Sequence, residues 1–79
     1  MLQSLIPPSF IPQARKHALE EAPGRPVIML RPAPVRVRSS IGTAIAYTVT
    51  HVLVEWDTDG EYNVRWEATW LVRRVETSS

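Results

Sequence analysis

In this chain of 79 residues, the stretch closest in spacing to a known chemistry is Asp57-Thr58-Asp59-Gly60. D-x-D-G is a fragment of a calcium-binding loop. The full loop needs further oxygen ligands and a Glu in its twelfth position. Counted from Asp57, the twelfth residue is Ala68; counted from Glu55, it is Trp66. The stretch therefore reads as a turn. Asp favours the start of a type I turn, and Gly supplies positive φ. A hairpin loop with a Gly-assisted bulge between two alternating strands is expected.

Other candidates for chemistry are few. There is no Cys, so neither disulfide nor thiolate metal site exists. The two histidines, His17 and His51, are far apart in sequence. His51 falls opposite Val52 and Val54 and reads as solvent-facing. A metal site needs several converging ligands. Nucleophilic catalysis needs a Ser or Cys beside a base and an orienting acid, and the serines sit at the chain ends and at Ser39-Ser40. Paired carboxylates would do acid–base work only where burial raises a pKa, and these lie in a polar loop. The expectation is a protein that binds rather than catalyses, with no cofactor and no small-molecule substrate.

Binding points to the aromatic and cationic residues. Of Trp56, Trp66 and Trp70, two are expected to fill the core, since aromatics bury the most area. The third, Trp56 or Trp70, stands out as a contact anchor. Arg36, Arg38, Arg65, Arg73 and Arg74 are expected on one face, paired across strands with Glu55, Glu67 and Glu76. The alternative is a nucleic-acid surface on which a Trp or Tyr62 stacks against bases. The candidate binding residues are thus Trp56, Tyr62, Trp70, Arg65, Arg73 and Arg74. Net charge is only +1, and residues 35–79 carry five Arg against six acids. That lacks the cationic excess of a non-specific nucleic-acid binder.

Positioning these residues falls to a small set of elements. A chain this short is one domain with a marginal core. With 44 % apolar residues it is too hydrophobic for a disordered chain. No Lys or Arg precedes Arg15, and prolines break the apolar start, so no signal peptide or membrane span is expected. Residues 1–34 read as an arm. Its first eleven residues look extended because of Pro7 and Pro8, yet carry Leu2, Leu5, Ile6, Phe10 and Ile11. A helix follows from Pro12 to Ala22, with Ala14, Ala18, Ala22 and Leu19 on one stripe, and Pro23-Gly24 ends it. A Pro-rich connector holds one short strand, Val27 to Leu30. Its Pro23-Gly24-Arg25-Pro26 fits the P-x-x-P spacing that connector prolines often give. Residues 35–79 alternate with period two. Val35 to Arg38 makes a strand and Ser39 to Gly42 a turn. Thr43 to Trp56 reads as one long strand bent near Ala46. Glu61 to Thr69 makes another, and Trp70, Leu71 and Val72 close the core.

The order within VLVEWDTDGEYNVRWEATWLVRR resembles an SH3-like small barrel of the Tudor/chromo type. A strand ending in Trp56 leads through a polar Gly turn to a strand ending in Trp66-Glu67. A short connector then precedes a last apolar strand with Leu71. The resemblance implies a mainly β fold: a small SH3-like β-barrel of four to five strands (residues 35–79) preceded by an N-terminal arm with one short helix (residues 1–34). In chromo-type domains an aromatic cage holds methylated lysine through cation–π attraction. Trp56 matches one cage position, but Asp59 stands where a second aromatic belongs, and Val35-Arg36-Val37-Arg38 offers no third. The methyl-lysine function is therefore not carried over. Small proteins of this look, with an apolar arm ahead of the barrel, also occur in phages and mobile elements.

These readings converge on an adaptor for protein–protein interaction or self-association, placed in the cytoplasm or in a phage particle. Its arm residues Leu5, Ile6, Phe10, Ile11 and Leu19 are expected to pack on the barrel or on a neighbouring copy, and a homo-oligomer is expected. Nucleic acid is the alternative partner.

Overall fold

The computed structural model describes residues 10–75. Helix α1 (Phe10–Glu20) precedes five strands: β1 (Val27–Val37), β2 (Ser40–Tyr47), β3 (His51–Thr58), β4 (Glu61–Ala68) and β5 (Val72–Arg74). A 3₁₀ turn over Thr69–Leu71 joins β4 to β5. All pairings are antiparallel, in the order β4-β3-β2-β1-β5. The sheet curls into a half-barrel, so the mainly β architecture with one helix near the N-terminus is as expected. Among the described residues no helix is long and apolar enough to cross a membrane.

The helix begins and ends about two residues earlier than expected. Pro12 sits within the first turn, where its missing N–H is not needed. Ala22 precedes Pro23, whose ring disfavours the helical region for its neighbour. The chain leaves through a tight turn, Glu21 donating to the carbonyls of both His17 and Ala18 at 3.1 Å, and through Gly24 at φ 125°.

Three turns depart from expectation, each for a local reason. First, β1 and β2 are joined by Arg38-Ser39 alone, Val37 pairing directly with Ser40. Gly42 is inside β2, not in the turn. Its lost side chain matters there, because a Cβ would lie 2.6 Å from the Glu55 carbonyl oxygen and 2.9 Å from Val54 Cγ1. Second, Thr43 to Trp56 is not one strand. The Thr48 hydroxyl accepts the N–H groups of Thr50 (3.3 Å) and His51 (3.0 Å), while Thr48 N–H donates to the His51 carbonyl (2.8 Å). This threonine-built reversal contains none of the usual turn residues. The irregularity expected near Ala46 does exist, as a register shift between Ala44 and Ala46. Third, Asp59 (φ 52°) and Gly60 (φ 80°) form a two-residue loop between the paired Thr58 and Glu61. Two left-handed residues make a primed hairpin turn, so no extra bulged residue is present.

The strand expected over Val27 to Leu30 and the one starting at Val35 are a single β1, broken only by a register shift between Ile28 and Ala33. Adjacent strand residues face opposite sides, and two apolar clusters result. On one side Val35, Val37, Ala44 and Val54 are buried against Met29, Val52, Trp56 and Val72. On the other, Ala46 and Leu53 are buried with Ala18 of α1, flanked by Leu19, Ile45, Val64 and Trp66. The first cluster is enclosed by the curl of the sheet, the second by the helix.

Replacing Gly42 by Ala forces β2 away from β3 and should destabilise the protein by about 1–3 kcal/mol. Gly60→Ala meets no atom within 4 Å and pays only for its positive φ, about 1 kcal/mol. Urea midpoints of the two variants would rank them; equal midpoints would contradict the close approach at Gly42.

Candidate functional site

Helix α1 is held on the sheet by two polar contacts on the side carrying Leu53. The Trp66 indole N–H donates to the Ala18 carbonyl at 2.7 Å, a second donor on an oxygen that already accepts the Glu21 N–H of the closing turn. One turn earlier, the Arg15 guanidinium grips the Glu55 carboxylate with two parallel bonds, Nε to Oε1 at 2.8 Å and Nη2 to Oε2 at 2.7 Å. Tyr62 donates its hydroxyl to the same Oε1 at 2.6 Å. Glu55 pairs with Val64 across β3 and β4, and Tyr62 lies two residues from Val64 on the same face.

The electrostatics of this trio are mutual. The hydrogen bond to Glu55 is the largest influence on Arg15 and raises its pKa against the effect of burial. For Glu55, burial pushes the pKa up. The hydrogen bonds from Arg15 and Tyr62, with the Arg15 charge, outweigh it and hold the carboxyl below its ordinary value. Burial first, then the bond to Glu55 and its negative charge, push the Tyr62 hydroxyl up to about 12. With donors and acceptor satisfying one another, the trio acts as a latch between helix and sheet.

The expected binding residues do not form one patch. Val35 and Val37 are buried, so Arg36 lies on the other side of β1, while Arg38 is in the turn after β1 and borders recesses shared with Arg65 and with Arg36 and Arg73. Arg73 is directly opposite Arg36, while Arg74 is opposite Val35 and shares its side. Arg65 alternates with Val64 and Trp66, which face the helix, so it lies with Glu67 on the opposite side, 3.9 Å from its carboxylate. The five arginines are thus split by the register of β1, β4 and β5. Their expected cross-strand pairing also differs: Glu55 is taken by Arg15, Glu67 sits in the same strand as Arg65, and Glu76 lies outside the described residues.

Each aromatic has a distinct setting. Trp66 is half-buried under α1, and half-buried Trp56 packs against the first cluster. Trp56 also lines a recess with Arg38, Ser40, Arg65 and the 7 % exposed Glu67. Tyr62 belongs to the latch. Trp70 does not close the core: the 3₁₀ turn carries it outward, 79 % exposed. There it lines one shallow recess with Arg36, Arg38, Leu71 and Arg73 and another with Val49, His51 and Ala68. His51 Nδ1 lies 2.7 Å from the Thr50 hydroxyl. Among the described residues no three His, Asp or Glu side chains converge as a metal site requires.

Of the arm residues, half-buried Leu19 packs within the second cluster of its own chain, and half-buried Ile11 borders Arg15, Ile41 and Tyr62. Only the backbone of Phe10 is described, as the first residue of α1, and Leu5 and Ile6 lie outside the described residues. Between the two placements expected for the arm, α1 lies on its own sheet.

Sequence reasoning missed Arg15 and the Ala18 carbonyl. Arg15 is 40 residues from Glu55, and nothing local marks the pair. The one available signal was an acidic residue inside the apolar β3 run, which implies a cationic partner on the covered face.

Compared with protein families, with characterised proteins and with solved structures, the chain matches none of them.

Glu55→Gln should lower stability at pH 7 by about 1–2 kcal/mol. That is the low end for charged bonds, because the Arg15 side chain is 43 % exposed and water screens the pair. Glu55 has a depressed folded pKa, so its contribution is present above the ordinary 4.5 and fades as pH falls below it. Melting curves of wild type and variant should therefore converge in acid. Tyr62 has a raised one, so its contribution is complete below pH 10 and lost as pH climbs towards about 12. In a Tyr47→Phe background, tyrosinate absorbance should titrate with a midpoint near 12; a midpoint at the ordinary value would mean the latch is open.

Proposed function

We propose that the chain is a non-enzymatic assembly module. In this reading it is a small SH3-like β-barrel adaptor left open along one side, and its open edge takes a strand from a partner. The observation that carries this is β4. Its eight residues pair with β3 on one side, and among the described residues no strand pairs with the other. An edge strand offers a row of backbone donors and acceptors that a second chain can complete.

The sequence of β4 favours a copy of itself as that chain. In an antiparallel β4–β4′ pair centred on Asn63, Glu61 faces the other copy's Arg65 at both ends and Tyr62 faces Val64. Centring on Val64 instead would set Glu61 against Glu67. Opposite charges across strands stabilise and like charges destabilise, so the Asn63-centred register is preferred. A twofold pair of this kind closes on itself and leaves no further edge of the same type to propagate.

Binding rather than catalysis is supported by how the polar groups are used. Arg15, Glu55 and Tyr62 are committed to one another. The order of elements that suggested a Tudor/chromo-type barrel fits the five-stranded curl, with the Thr69–Leu71 turn as the short connector before the last strand. On this reading the protein works in the cytoplasm, or within a particle if its gene belongs to a phage.

Light scattering on an eluting sample should give a dimer mass for the wild type at micromolar concentration. Arg65→Glu should yield monomers, and Glu61→Arg combined with Arg65→Glu should restore the dimer, each with a native melting profile. A monomeric wild type, or a double variant that stays monomeric while folded, would remove the β4 pairing.

A further inference from the structure

The side of the sheet around β5 poses a separate physical problem. Arg36 and Arg73 stand directly opposite each other across an antiparallel pair. Like charges in that position repel. Arg38 joins them in the same recess. All three are exposed, and among the described residues none lies within 4.0 Å of a carboxylate. Among the described residues, nothing neutralises this repulsive cluster.

The same recess contains Trp70. Its exposure does not come from a loose segment. Thr69 N–H donates to the Thr50 carbonyl at 2.9 Å, and Val72 N–H closes the turn on the Thr69 carbonyl. A large aromatic ring is therefore held in solvent by a fixed backbone, beside three guanidinium groups that no carboxylate among the described residues pairs with.

We infer that Trp70, with Arg36, Arg38 and Arg73, forms a binding surface for single-stranded nucleic acid. Three closely spaced cations match successive phosphates, and an exposed indole offers a platform on which an unpaired base stacks. A duplex fits less well, because its bases are already stacked inside and show the ring only their edges. An acidic peptide would satisfy the arginines but leave the indole without a planar partner. This surface is built from β1, β5 and the 3₁₀ turn, but Arg38 also borders Arg65 of β4 and Trp70 borders Ala68, so it is tested by variants of Trp70, Arg36 and Arg73 that leave the paired residues of the β4 edge unchanged.

The probe is a fluorescent oligothymidylate of about fifteen nucleotides, titrated with full-length protein and read by anisotropy. Binding should be measurable at about 20 mM salt and weaken steeply with added salt, with a log–log slope of about −2 for three phosphate contacts. Trp70→Ala should weaken it about 5- to 100-fold, with Trp70→Phe keeping most of the affinity. The Arg36→Gln/Arg73→Gln double variant should flatten the slope by about 1.4. All four side chains are exposed, so each variant should melt like wild type; circular dichroism checks this. No binding at low salt would overturn the inference. So would a polyglutamate or phosphatidylserine vesicles competing as well as the oligonucleotide. A folded Trp70→Ala variant with unchanged affinity would do the same.

Discussion

The packing of helix α1 on Leu53, anchored by the bond from the Trp66 indole to the Ala18 carbonyl, gives a sheet with two apolar sides a cover for the second. Curling encloses Val35, Val37, Ala44 and Val54, but no curl can also enclose Leu53, which points the other way. Left open, Ala46, Leu53, Val64 and Trp66 would form an exposed apolar patch of the kind that drives aggregation. Helix α1 is too short to be stable by itself, so helix and sheet each need the other.

The Arg15–Glu55–Tyr62 latch then fixes where the helix lies. Apolar contact alone is non-directional; a bidentate guanidinium–carboxylate pair has one geometry. Tyr62 fills the remaining demand on Glu55, which makes a half-buried carboxylate tolerable on an otherwise apolar side. With α1 held this way, the β4 edge, unpaired among the described residues, and the cationic recess around Trp70 are the two surfaces proposed for contact, one by backbone hydrogen bonding and the other by charge and stacking. The two surfaces use different strands, so a dimer through β4 would carry two copies of the Trp70 recess.

Much of the fold was legible in the residues because it rests on period and punctuation. Alternation from Val35 onward, a helix opened at Pro12 and Asp59-Gly60 at a hairpin are local signals, and each names an element. The reversal at Thr48 escaped because β-branched residues normally argue for a strand. Only the hydroxyl bonding back to Thr50 and His51 turns the chain there. Trp70 reads two ways in the sequence, as an exposed anchor and as closing the core with Leu71 and Val72. Its exposure follows the first: an aromatic before Leu71-Val72 continues the apolar pattern, while a 3₁₀ turn rotates it outward without leaving a local mark.

The sequence by itself determined that the chain is mainly β, that it has one short N-terminal helix, and which residue types are available to bind. Those follow from periodicity and composition, which every short window displays. Only the tertiary structure decided which side of the sheet each arginine occupies, which carboxylate Arg15 meets, and that α1 lies on its own sheet. Such facts depend on strand register and on contacts between residues tens of positions apart, and a shift of one residue in a strand's register would reverse the side of the arginines on that strand.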